Sequence, residues 1–119
     1  MRQWIDLFEN QHPIEFLYHG TWRGNIDSIL EDGITAPSYW GNQEIASNYA
    51  DQYGAEGVII RVPITDFNED GLAPNEGLVH SLRDDGDETP MPSTWQESLD
   101  EVDSVVYHYT LEIDEGDIL

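Results

Sequence analysis

His19, Gly20 and Thr21 close an apolar run from Ile14 to Tyr18 and set two hydrogen-bonding side chains beside a residue with no Cβ. A triplet of this kind suits a ligand lying close against the backbone, because glycine leaves room while imidazole and hydroxyl offer donors and acceptors. Tyr39 and Tyr49, ten positions apart, are able to close a flat aromatic slot over a planar ring. Arg23 follows the triplet and is the nearest cation for a phosphate, by ion pair or bidentate hydrogen bond. Each residue also has a plainer use: His19 as a strand-end histidine, and the two tyrosines as core aromatics.

The elements that must position these residues are short. Ile14 to Tyr18 reads as a strand delivering His19 to its end. Asn25 is an N-cap for a helix carrying Ile26, Ile29 and Leu30 on one side, with Gly33 as its C′ glycine, and that N-terminus offers further amide donors. Tyr39-Trp40 reads as a short strand after Pro37. Asn42 caps a second helix in which Ile45, Ala46, Tyr49, Ala50 and Tyr53 keep helical spacing, with Tyr53 expected in the core. Gly57 to Ile64 is an apolar run suited to the centre of a sheet. An early helix is expected over Trp4 to Phe8, ended by Pro13, and a late strand over Ser104 to Ile113. Between Asp66 and Ser98 the chain is rich in turn residues and charge, a long irregular stretch that is functional, mobile or partly structured. Trp95 to Leu99 suits a short helix with Trp95 as a core anchor, and the tail Asp114 to Asp117 reads as acidic and frayed. No repeat or linker divides the chain, so residues 1–119 are expected to form a single domain.

The charge is extreme: 25 Asp and Glu stand against four Lys and Arg, a net charge of −21. Such a surface repels nucleic acid and anionic membranes, which are bound through Lys and Arg. It suits a solubilising coat, adaptation to high salt, or imitation of nucleic acid toward a basic groove on another protein. With no cysteine, disulfides and thiolate metal sites are excluded. His12, His80 and His108 lack metal-ligand spacing, and the Asp84 to Glu88 run lacks the ordered oxygens of a calcium loop. No apolar run reaches the roughly 20 residues of a membrane span, and the N-terminus lacks a signal-peptide core, so a cytosolic location is expected.

The segments around His19-Gly20-Thr21, Tyr39-Trp40-Gly41 and Ala46-Ser47-Asn48-Tyr49 together resemble the NAD-binding core of the ADP-ribosyltransferases, in the PARP-type His-Tyr-Glu branch. The resemblance covers residues 14–64 well and the remainder loosely. It implies an α+β fold, a split β-sheet or barrel with short flanking helices, and NAD as cofactor. It also implies that His19 bonds the adenosine ribose, that Gly20 and Thr21 hold the nicotinamide amide, and that Tyr39 and Tyr49 sandwich the nicotinamide ring. A late acidic residue would orient the nicotinamide ribose. Glu97 is the first choice for it, beside a Trp95 able to bury it, with Gln96 second and Glu76 and Glu112 behind.

The resulting expectation is a mono-ADP-ribosyltransferase-like domain, of the kind found in a toxin or phage effector, acting on a macromolecular acceptor. The charge favours a basic protein as that acceptor or partner, with no nucleic acid and no membrane. An alternative from another class is an inactive acidic protein that mimics nucleic acid and blocks a nucleic-acid-binding defence protein. An RNA 2′-phosphotransferase activity is a third reading, weakened by the scarcity of cations around any phosphate.

Overall fold

The computed structural model of the chain describes residues 14–119, and the helix expected at Trp4 to Phe8 lies outside the described residues. Five strands form one antiparallel sheet: β1 (Phe16–Trp22), β2 (Ser38–Gly41), β3 (Gly57–Pro63), β4 (Leu72–Pro74) and β5 (Ser104–Tyr107), in the order β3-β1-β2-β5-β4. Four α-helices accompany it among the described residues: α1 (Ile26–Asp32), α2 (Gln43–Asp51), α3 (Glu76–Leu82) and α4 (Trp95–Val102). An α+β class is therefore observed. None of these helices is long and apolar enough to cross a membrane.

The pairing is uneven. β1 and β3 pair along seven residues, from Phe16↔Pro63 to Trp22↔Gly57, and β2 pairs with β5 along all four of its residues. β1 and β2 share one ladder pair, Tyr18↔Gly41. The sheet is thus two well-laced halves, β3-β1 and β2-β5-β4, joined at a narrow seam.

Alternation puts Leu17, His19 and Thr21 on one face of β1 and Tyr18, Gly20 and Trp22 on the other. The first face is the core. Leu17, Trp40, Ile60, Val62, Val105 and Tyr107 are buried there in one cluster. Aromatic rings run through it in contact, with centroids 5.1 Å apart for His19–Trp40, 5.0 Å for Trp40–Phe67 and 4.9 Å for Phe67–Tyr107. On the second face lies α2. Isolated helices this short are marginal in water, so α2 persists through its cap and its packing. Asn42 Oδ1 accepts from Ile45 N at 2.9 Å, and Ala46 and Ala50 are the buried positions. Those alanines bring the helix backbone onto the strands: a Cβ at Gly20 would stand 2.1 Å from Ala46 O, and one at Gly57 2.1 Å from Ala50 O.

Several expectations are corrected. His19 lies in the middle of β1, not at its end, because β1 runs on to Trp22 against β3. Asn25 precedes α1 without capping it: a 3-10 turn over Arg23–Asn25 leads into the helix, and the Asn25 amide donates to Thr21 Oγ1 at 3.1 Å instead. Gly33 does close α1, at φ 78°, where a glycine is favoured. β3 is an edge strand; its outer side is covered by the C-terminal residues, with Ile60 bridged to Ile118 and Leu119 N bonded to Ile59 O at 2.9 Å. The tail is for that reason ordered, closed by a 3-10 turn in which Asp117 Oδ2 accepts from Asp114 N at 3.0 Å. β5 stops at Tyr107, although Leu111 bridges back to Ile34. Tyr53 falls beyond the last turn of α2 and is exposed.

The stretch between Asp66 and Ser98 holds a 3-10 turn over Glu69–Gly71, β4, α3 and the start of α4, and its one long irregular segment is residues 83–94. A buried polar knot fixes this region. Asn75 N donates to Ser98 Oγ at 3.0 Å, Asn75 Nδ2 to Ser104 Oγ at 3.0 Å, and Ser98 Oγ to Ser104 O at 2.7 Å. Asn75 Oδ1 also caps α3 by accepting from Leu78 N at 3.2 Å. In the irregular segment, Arg83 grips both carboxylate oxygens of Glu101, at 3.0 and 2.9 Å, and donates to the carbonyls of Thr89 and Pro90.

Candidate functional site

The candidate site is the seam between β1 and β2. Past the Tyr18↔Gly41 pair the ladder stops, and continuing its register sets Gly20 opposite Tyr39. The imidazole of His19 crosses here instead, with Nδ1 donating to Tyr39 O at 2.7 Å. A carbonyl only accepts, so the proton sits on Nδ1 and Nε2 keeps its lone pair. No other hydrogen bond engages the ring among the described residues. Burial pushes the imidazole below its ordinary 6.5, and the bond to Tyr39 opposes that in part. The residue is therefore a neutral histidine with an available acceptor at physiological pH.

Tyr39 and Tyr49 both lie on the α2 side of the sheet. Ile45 Cγ2 would meet a Cβ at Gly41, so that flank of α2 faces β2. Tyr49 stands one turn further along the same flank, level with Ala46 and Ala50 above Gly20. Tyr39 shares this face of the sheet, and both tyrosines are exposed, at 50% and 41%. Neither is the core aromatic that its spacing also allowed. His19 reaches the seam from the core face, while Tyr39 and the Tyr49 flank of α2 lie on the opposite face.

Other expected contributors are placed differently. The space at Gly20 is taken by the backbone of α2, so its missing Cβ serves helix–sheet packing. Thr21 is buried and its hydroxyl is already paired with Asn25. Arg23 is exposed and loosely paired with Glu56 at 3.7 Å, a contact that an anion would compete for readily. Gln96 and Glu97 lie on the exposed side of α4, whose buried positions are Trp95, Ser98 and Val102. The expected burial of Glu97 against Trp95 is not found: its Oε1 accepts from Ser93 N at 2.8 Å and from Ser93 Oγ at 3.0 Å. Those bonds hold the Glu97 carboxyl below its ordinary range.

An acidic residue that spacing did not single out has its backbone at the closed end of the seam. Asp103, between α4 and β5, has φ 62°, and its carbonyl accepts from Asn42 N at 3.2 Å. A Cβ at Gly41 would lie 2.1 Å from that same carbonyl oxygen. Asp103 closes α4 as a left-handed C-cap, with its N–H bonded to Leu99 O at 3.0 Å. Its sequence signal is faint, because Asp and Asn adopt this conformation in ordinary turns as well. No group of acidic or imidazole side chains suited to a metal ion occurs among the described residues.

Comparison of the chain with models of protein families, with curated proteins and with solved structures finds no match.

Proposed function

We propose that this chain is an NAD-binding domain of ADP-ribosyltransferase type that moves ADP-ribose onto a basic protein acceptor. The observation that carries this reading is the seam itself: a neutral His19 spanning to Tyr39 O where β1 and β2 part, with Tyr39 and Tyr49 exposed on the α2 side of the sheet. The resemblance of residues 14–64 to the ADP-ribosyltransferase core supports it independently of the geometry.

In this reading the Nε2 lone pair of His19 accepts from a ribose hydroxyl, Tyr39 and Tyr49 stack on the nicotinamide, and Arg23 meets the pyrophosphate. Nicotinamide leaves C1′ of its ribose with the electron pair of the C–N bond, and positive charge develops on the sugar. The acceptor's nucleophile then bonds to C1′ and gives up its proton to solvent. A carboxylate facing the sugar lowers the barrier by stabilising that charge. We assign this role to Asp103 ahead of Glu97 or Gln96, because its backbone carbonyl adjoins the Tyr18–Gly41 pair while the other two lie on the exposed side of α4.

Calorimetric titration with NAD, on the wild-type chain and on His19→Ala, tests the reading. Saturable binding that is lost in the variant is expected. A folded wild-type protein that binds no NAD would overturn it. The reading as a nucleic-acid mimic rests on the net charge of −21 alone and calls for a different outcome: activity abolished by neutralising Asp84, Asp85, Asp87 and Glu88, and untouched by His19→Ala.

A further inference from the structure

Two exposed aromatic residues belong to no part of the proposed slot. Trp22 ends β1 and Tyr53 follows α2, exposed at 46% and 45%. Register brings them to one side of the molecule. Trp22 pairs with Gly57, and a Cβ at Gly57 would meet Ala50 O, so both share the face on which α2 lies. Tyr53 leaves α2 at that same end, with its N–H bonded to Ala50 O at 3.0 Å. Asp51 and Glu56 flank Tyr53 in sequence and are exposed. The indole of Trp22 lies against Gly24, where a Cβ would come within 2.5 Å of the ring. Rings and carboxylates thus meet around the end of β1 and α2, with Glu56 N bonded to Tyr53 O at 3.0 Å, and the Glu56 carboxylate is already loosely paired with the Arg23 guanidinium at 3.7 Å.

Rings interleaved with carboxylates match one side chain above others. A guanidinium stacks on an aromatic face while its N–H fork pairs with a carboxylate, whereas an ammonium is a hydrated point charge. This face already holds one such contact within the chain, with Arg61 4.7 Å from the Phe16 ring centre. Charge complementarity extends the argument: on a chain of net charge −21 the carboxylates within a Debye length, Asp51 and Glu56 among them, favour a cationic polypeptide.

We propose that Trp22, Asp51, Tyr53 and Glu56 form a docking surface for an arginine-rich polypeptide segment. That this segment belongs to the ADP-ribose acceptor rests on the function proposed above; the docking itself does not.

The experiment is titration of the full chain with a synthetic peptide of alternating arginine and serine, at physiological salt. The Trp22→Ala/Tyr53→Ala double variant should bind about tenfold more weakly, as expected for two exposed cation–π contacts. Neutralising Asp84, Asp85, Asp87 and Glu88 together should cost less than about twofold, since screening leaves little beyond a Debye length. A lysine–serine peptide of equal length should bind more weakly than the arginine peptide. Equal losses from both variants, equal binding of both peptides, or no binding by the wild type would each overturn the proposal. Glu56→Gln, a conservative surface change, provides a second variant that does not put folding at risk, and it should also weaken the peptide. NAD titration of the double variant separates the two readings: unchanged NAD affinity with lost peptide binding supports docking at a distinct surface, while absent NAD binding in every variant removes only the transferase reading.

Discussion

His19 donates from Nδ1 to the carbonyl of Tyr39 at 2.7 Å, and this bond spans the two halves of the sheet where the ladder has only the Tyr18↔Gly41 pair. It replaces main-chain pairing with a side chain. A ladder bond would keep the seam shut, whereas an imidazole holds it while leaving Nε2 free to serve something else.

The bond should be visible in stability. His19→Ala removes the donor to Tyr39 O and the ring contact with Trp40, and should cost about 1–2 kcal/mol. Urea unfolding of the two proteins measures this. An unchanged midpoint would mean that the seam is held by other contacts.

Acid should destabilise the fold at this residue even though protonation strengthens the bond itself, because the buried imidazole resists charging. Burial lowers the folded-state pKa of His19 below 6.5, so as pH drops the unfolded chain takes up the proton first. The contribution of His19 is fully present above pH 6.5 and is lost as pH falls through the depressed folded value. Comparing unfolding free energies at about pH 7 and about pH 5 in wild type and His19→Gln isolates it, because carboxylates titrate mostly below that window. Wild type should lose more stability across the interval than the variant; parallel behaviour would assign the loss to other groups.

Gly20 gives a sharper contrast. Its Cβ would stand 2.1 Å from Ala46 O and 2.9 Å from Ala50 N, all backbone that cannot swing aside. Gly20→Ala should cost about 3 kcal/mol by lifting α2 from β1. Gly116→Ala has nothing within 4 Å and should change stability by less than about 0.5 kcal/mol. Thermal melts of the two variants decide; a benign Gly20→Ala would show that α2 does not press on the strand.

What could be read from sequence follows how local each signal is. Asn42 with Ala46 and Ala50 specified α2 within nine residues, and the cap at Asn42 is observed. Trp95 likewise anchors α4 in the core. Relations between distant residues were not legible. The Gly57–Pro63 run is apolar enough for a central strand, yet it lies at the edge because Ile118 and Leu119 cover it. β4 and α3 hid among turn residues, since what holds them is Asn75 bonded to Ser98 and Ser104, 23 and 29 positions away. The site shows the same division. His19, Tyr39 and Tyr49 stood out by type and spacing, while the seam that relates them depends on pairing between residues 18 and 41.

The polar knot should be as costly to break as an apolar cavity. Ser98→Ala leaves the buried Asn75 N–H without its acceptor and Ser104 O without its donor. The expected loss is about 2 kcal/mol, the penalty for burying unpaired polar groups. Denaturant unfolding checks it, and a loss under about 0.5 kcal/mol would indicate that other groups or water take over those bonds.

The carboxylate question has a decisive pair of variants. Glu97 is bonded to Ser93 on the exposed side of α4, whereas Asp103 lies beside the Tyr18–Gly41 pair and is bound through its carbonyl to Asn42. Asn also tolerates a left-handed backbone, so Asp103→Asn should keep the φ of 62° and remove only the charge. If charge developing on the ribose is stabilised from this position, nicotinamide release should fall about a hundredfold in Asp103→Asn. NAD affinity should hold, because the carboxylate acts on the departing bond more than on the bound ground state. Glu97→Gln should release nicotinamide at the wild-type rate while losing its acid-sensitive contact to Ser93. The reverse pattern would return the role to Glu97 and require α4 to turn toward the seam when NAD binds. Equal, undiminished release from both variants would mean that the aromatic slot and His19 suffice for the bond to break.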